Sequence, residues 1–159
     1  MTVTAFPNGI SVQDGLELVP DWRIAKHVGT AFTGGSNEHG DTAGTANPTT
    51  LFEVSGVVEV RIFGICNTLL DGATGTIEVG VTGNTAVLIA QTTATNIDAN
   101  EVWLDATPGV RAKALSSNGV IVNNTDIIET VGTADLTAGQ IDYYCIWRPI
   151  STDATVTAA

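Results

Sequence analysis

LFEVSGVVEVRIFGIC, residues 51–66, alternates with a period of two. Phe52, Val54, Val58, Val60 and Ile62 share one parity, while Glu53, Ser55, Glu59 and Arg61 take the other. A half-buried β-strand demands this pattern, because successive side chains point to opposite faces of a sheet. Cys66 continues the apolar series. Gly56 interrupts it on the buried parity and marks a bulge or bend.

The same period returns along the rest of the chain in short runs separated by turn residues. Asp71-Gly72 supplies a turn ahead of Ile77, Val79 and Val81, and Gly83-Asn84 a two-residue hairpin signal into Thr85 to Gln91. Further strands are expected at Glu101 to Asp105, Val110 to Leu115, Val120 to Asn123, Asp126 to Val131 and Gln140 to Trp147. Ser117-Asn118-Gly119 carries the Asn-Gly pair of a type I′ turn. Ile97 to Val102 and Leu136 to Ile141 echo one another, each a small-residue turn with Asn100 or Gly139 suited to positive φ before a strand. About eight strands and no helical segment predict an all-β antiparallel sandwich or barrel, jelly roll and other Greek-key layouts remaining equal.

Composition agrees. The 159 residues suffice for one well-filled core, and 43% are hydrophobic, so wholesale disorder is excluded. Only 14% are charged, and two dozen threonines with 17 glycines fill the polar quota. Threonine suits a pleated surface, whereas good helix formers are scarce. Six Lys and Arg against 17 Asp and Glu give a net charge of −11, which repels nucleic acid and anionic membranes. The first residues, MTVTAFPNGISVQDG, lack the basic and apolar regions of a secretory signal, and no apolar run is long enough for a membrane span. Cys66 and Cys145 are far apart without metal-type spacing and are expected to be free thiols in a reducing cytoplasm.

The chain divides near residue 50. Trp22, Ile24, Lys26 and Val28 alternate with Arg23, Ala25 and His27 as one strand. Residues 29–50, GTAFTGGSNEHGDTAGTANPTT, show no apolar periodicity. The expectation is an extended arm with a Gly-rich loop over 1–50 and a core domain over 51–159, with Phe6, Trp22 and Phe32 docking a partner. The competing reading is a surface loop with 22–28 as an ordinary core strand.

Catalytic motifs fail in turn: no G-x-S-x-G elbow, Walker loop, H-E-x-x-H or paired C-x-x-C occurs. His27 reads as structural and His39 as solvated. Carboxylate pairs such as Glu53 with Glu59, or Asp98 with Glu101, follow from 17 scattered acids by chance. The runs Glu38–Asp41 and Asn123–Asp126 offer oxygen ligands but lack the D-x-D-x-D-G spacing of a dedicated calcium site. No cofactor or metal is assigned, and a non-enzyme is expected.

The aromatic residues say more. Ile141, Tyr143, Cys145 and Trp147 share the core parity, leaving Tyr144 and Ile146 outward. Phe63 and Ile65 lie beyond Arg61, and Trp103 is opposite in parity to Val102 and Leu104. Exposed apolar rows and open strand edges predict a homo-oligomer, dimer or trimer, with Phe63, Ile65, Trp103, Tyr144 and Ile146 at the interface. A carbohydrate-binding face of Trp and Tyr and a thicker core are the alternatives.

The stretches GNTAVLIAQTTATNIDANEVWLDATP, residues 83–108, and DIIETVGTADLTAGQIDYYCIWRPIS, residues 126–151, resemble small head-associated virion proteins of tailed bacteriophages and prophages. The resemblance implies a capsid decoration or cement protein that binds the major capsid protein as a β-rich oligomer. It would assemble in the host cytoplasm and sit on the outer surface of the virion shell. A carbohydrate-binding adhesion module on the virion is the competing expectation.

Overall fold

The computed structural model describes residues 22–159 and two short strands before them, β1 (Thr4–Ala5) and β2 (Ser11–Val12), which pair antiparallel. The remaining strands are β3 (Arg23–His27), β4 (Thr49–Ser55), β5 (Val57–Asp71), β6 (Thr76–Val81), β7 (Asn84–Thr93), β8 (Glu101–Trp103), β9 (Gly109–Val110), β10 (Val120–Asn123), β11 (Ile127–Gly132), β12 (Ala138–Pro149) and β13 (Thr155–Ala158). Apart from β1 and β2 they form two antiparallel sheets arranged as a sandwich. One runs β3-β12-β5-β8-β9, with β10 also paired to β5; the other runs β13-β4-β11-β6-β7.

The alternating run at 51–66 supplies a strand to each sheet. It turns at Gly56, where φ is +76°, so β4 belongs to one sheet and β5 to the other. Sandwich corners are built by strands that switch sheets at such bends. A Cβ at Gly56 would lie 2.6 Å from Ser151 Oγ and 2.9 Å from Ala154 Cα, so the corner requires glycine on both counts. Its N–H donates to Asn124 Oδ1 at 2.8 Å, and its carbonyl accepts from the Asn124 N–H at 3.0 Å. Parity survives the corner: Phe52, Val54, Val58, Val60, Ile62 and Cys66 are all buried, because the chain wraps around the core it lines.

β5 pairs with β12 along nearly its whole length and is flanked at one end by the two echoing turns. Asn100 at φ 68° donates its N–H to Cys66 O, and Gly139 at φ 111° lies against Leu69 and Leu70 on the other side. The predicted similarity is therefore local: two left-handed turns feed two strands that flank β5. Phe52, Ile77, Trp103, Ile127, Leu136 and Tyr143 fill the space between the sheets.

Several expectations are corrected. The predicted strand at Val110 to Leu115 shrinks to Gly109–Val110, and residues 111–119 run on without regular structure. Neither Asn118 nor Gly119 has positive φ, so no type I′ hairpin forms there. A C-terminal strand, β13, caps the second sheet beside β4. The division at residue 50 is not a boundary for the described residues. β3 pairs with β12 from Arg23 to His27 as an ordinary edge strand, and β4 starts at Thr49.

Residues 29–48 are fastened to the fold by backbone bonds that apolar periodicity does not reveal. Phe32 N–H donates to Gly139 O, Leu136 N–H to Gly40 O, and Thr42 N–H and Oγ1 to Asp135 Oδ1. Asn47 exchanges side-chain bonds with both backbone groups of Val131. Phe32 itself is buried in the core, not displayed for a partner.

Two outcomes follow. Phe32→Ala should cost about 3–5 kcal/mol of unfolding free energy in urea titrations, and a chain of residues 51–159 should aggregate or melt far earlier than the whole protein. Cys66 and Cys145 are free and buried, and burial pushes their thiols up to about 11 and about 12, nearby Glu101 and Asp98 adding to the effect at Cys66. Thiol labelling should be slow in the native protein and reach two groups per chain in denaturant without reductant.

Candidate functional site

Two polar constructions stand out, one inside the sandwich and one on its surface. The inner one begins with Glu129, which shares the inward parity of β11 with Ile127 and Val131 and is 1% exposed. An unpaired carboxylate there would be very costly. Two partners from different parts of the fold answer it. Tyr143, on β12 of the facing sheet, donates its OH to Glu129 Oε2 at 2.5 Å, and His39 Nε2 lies 2.7 Å from Oε1. Phe32 stacks on the imidazole at a centroid distance of 4.2 Å. The loop at 29–48 and both sheets thus meet at one carboxylate.

His39 was expected to be solvated and is instead largely covered. Burial disfavours its charge, but the Glu129 bond and charge and the carbonyls of Ala31 and Thr30 outweigh that, raising its pKa above the ordinary 6.5. Burial drives the Tyr143 hydroxyl well above its usual value, so it remains a donor. The trio has its base locked onto a carboxylate in the interior and serves as a clasp between sheets.

The surface construction is the outer face of the six-stranded sheet. β3, β12 and β5 set Lys26, Tyr144 and Phe63 in one row and Ile24, Ile146 and Arg61 in the next. Phe63 stacks on Tyr144 at 5.1 Å with 8° between the rings. Trp22 lies under two guanidinium groups, 4.6 Å from Arg61 and 5.2 Å from Arg148. Glu59 holds Arg148 by a paired contact to Nε and Nη2. Lys26 bonds Asp142 at 2.9 Å, which raises the lysine pKa and lowers that of the acid despite its partial burial.

Beside these rows, residues 105–119 form a strap. Arg111 and Lys113 on it, with Phe63, Ile65, Val102 and Leu104, line a cleft of about 320 Å³. Five of the six Lys and Arg therefore gather on this face, accompanied among the described acids by Glu59, Asp105 and Asp142. Arg23, the sixth, lies over the Trp147 ring at 5.0 Å. The opposite sheet presents Glu53, Ser55, Asp126, Thr155 and Thr157 to solvent around a shallow cleft.

The predicted interface residues thus separate. Phe63, Ile65, Tyr144 and Ile146 do share one face, and Trp22 joins them from the expected docking set. Trp103 does not: it is wholly buried, its indole donating to Thr92 Oγ1 at 2.9 Å. Its neighbours Val102 and Leu104 turn outward under the strap, so the parity assignment for β8 was inverted. Phe6 lies outside the described residues.

The runs considered for calcium are occupied by backbone. Asp126 accepts from Val54 N–H, and Asp41 accepts from the N–H groups of Asn37 and Ala43. Among the described residues no cluster of three or more His, Cys, Asp or Glu converges for a metal. Compared with family models, with curated proteins and with solved structures, the chain matches none.

A pH dependence follows from the clasp. Because the folded-state pKa of His39 is raised, the stability it contributes is fully present below about 6.5 and is lost as pH rises through the folded value. Urea titrations across pH 5–9 should show that decline for the native protein. His39→Gln should be less stable at the acidic end and flat across the window.

Proposed function

We propose that this chain is a non-catalytic assembly component whose contact surface is the outer face of the six-stranded sheet. The particular role we infer is a virion protein that decorates or cements a bacteriophage head, self-associating and binding the major capsid protein on the outer side of the shell.

One observation carries the reading. Trp22, Ile24, Phe63, Tyr144 and Ile146 form a patch that mixes aromatic, aliphatic and guanidinium groups, and Ile24 is 70% exposed. Aromatic residues and arginine are the groups enriched where protein interfaces concentrate their energy. The charge pattern adds direction: a cationic face on a chain of net charge −11 favours an acidic counterpart. The resemblance of residues 83–108 and 126–151 to head-associated phage proteins supplies the biological setting. Of the expected glycan-binding residues, Trp103 is enclosed and Tyr144 is covered on one side by Phe63. The assembly reading is accordingly the one advanced.

Light scattering at micromolar concentration should give a multiple of 16.4 kDa. Ile24→Asp with Ile146→Asp should weaken self-association by about 2 kcal/mol, roughly 30-fold, while leaving circular dichroism unchanged. Cosedimentation with empty shells should be lost in the same variant; a monomeric native protein that sediments with nothing would overturn the reading.

A further inference from the structure

Resting on the reading of the cationic face as a contact surface, we propose that residues 104–119 are a recognition loop set into an otherwise continuous strand. The cleft beneath the loop takes an acidic protein segment, anchored by one large apolar side chain.

β8 and β10 lie end to end on one flank of β5, both antiparallel to it. Val102 and Trp103 oppose Ile65 and Gly64, and Val120 to Asn123 oppose Val60 to Val57, while β12 covers the other flank. Only Arg61, Ile62 and Phe63 separate the two pairings, so a link of three residues would carry the strand straight through. The chain instead uses residues 104–119 for that step. An excursion far longer than its gap is not needed for the sheet's own pairing, and such loops on a rigid scaffold are where binding residues sit.

The loop is built, not slack. β9 folds back on β8, with Val110 opposite Glu101. Lys113 Nζ donates to Asp105 Oδ1 at 2.7 Å and to Thr107 Oγ1 at 2.9 Å, and the same carboxylate oxygen accepts from the Thr107 N–H at 2.7 Å. Arg111 has φ of 60°, a left-handed conformation that a residue with a Cβ adopts only where its surroundings hold it. Its N–H donates to Asn100 O at 3.1 Å, and the Ala112 N–H to Val110 O at 2.8 Å, which fix that turn.

The cleft of about 320 Å³ beside this turn has Phe63, Ile65, Val102, Leu104 and Leu115 in its wall and is at the small end of ligand pockets, with room for one large side chain. Arg111 and Lys113 flank it. Of the five cations on the face, Lys26, Arg61, Lys113 and Arg148 each reach a described acid. Arg111 is exposed and reaches none among the described residues, so its guanidinium is open to a partner's carboxylate. The apolar wall favours a protein segment over a polyanion, which a net charge of −11 repels.

The probe is the peptide Asp-Glu-Phe-Glu-Asp, added to isotope-labelled full-length protein. Amides of Ile65, Val102, Leu104 and residues 111–115 should shift, with a Kd below about 1 mM at low salt that rises with added salt. Arg111→Glu, a change at an exposed loop position, should weaken binding about tenfold or more, as should replacing the peptide's acids by their amides or its phenylalanine by alanine. Ile24→Asp with Ile146→Asp should bind the peptide like the native protein. Replacing residues 104–119 by a three-residue link should keep β-type circular dichroism and abolish binding; a variant that fails to fold would overturn the continuous strand. Absent shifts, shifts centred on Lys26 and Arg148, or equal binding of the amide peptide would overturn the cleft or its acidic occupant. The same amides shifting with protein concentration alone would assign the cleft to a second copy and overturn it too. A native protein that is monomeric by scattering yet binds the peptide would strike the self-association and leave the cleft standing.

Discussion

The sandwich depends on one bend that preserves alternation. Gly56 carries the chain from one sheet to the other at a φ and in a space that a side chain would not tolerate. Because it occupies one position in a period of two, the residues before and after it keep the same parity toward the core. β4 and β5 can then line both inner walls with a single run of sequence. β12 follows β5 in register, β11 follows β4, and the other strands add at the flanks.

The second constraint is the Glu129 carboxylate within that core. Buried charge is tolerated only when fully partnered, so it fixes the relative positions of three parts of the chain that packing alone would leave adjustable. Tyr143 sets the spacing between sheets, His39 pins the Gly-rich loop, and Phe32 covers the imidazole. A loop whose composition reads as mobile is thereby an ordered wall. The cost of ordering its backbone is offset by bonds to residues 131–142 and by burial of Phe32, neither of which depends on periodicity.

On the outside, the six-stranded sheet concentrates features that the sequence spreads thinly. Six basic residues in 159 look incidental in a chain of net charge −11, yet β3, β5, β12 and the strap gather five of them around stacked aromatic rings. The arrangement gives an acidic protein one face that is cationic and aromatic. Its other sheet stays threonine-rich and negative, which supports solubility and discourages indiscriminate stacking of copies.

Alternation alone determined that the chain is all-β, that Phe52 to Ile62 and Ile141 to Trp147 line a core, that both cysteines are buried, and that Tyr144 and Phe63 face outward. These are consequences of a two-residue period, a local property of the backbone. It also carried an unread signal: Glu129 sits on the buried parity between Ile127 and Val131, and a carboxylate in that place needs partners. The tertiary structure alone decided which partners those are, that residues 23–50 belong to the fold, that Trp103 turns inward while Val102 and Leu104 hide beneath a strap, and that the cations converge. Each depends on which segment lies over a given strand, and contacts made across roughly a hundred residues leave no periodic trace in the chain.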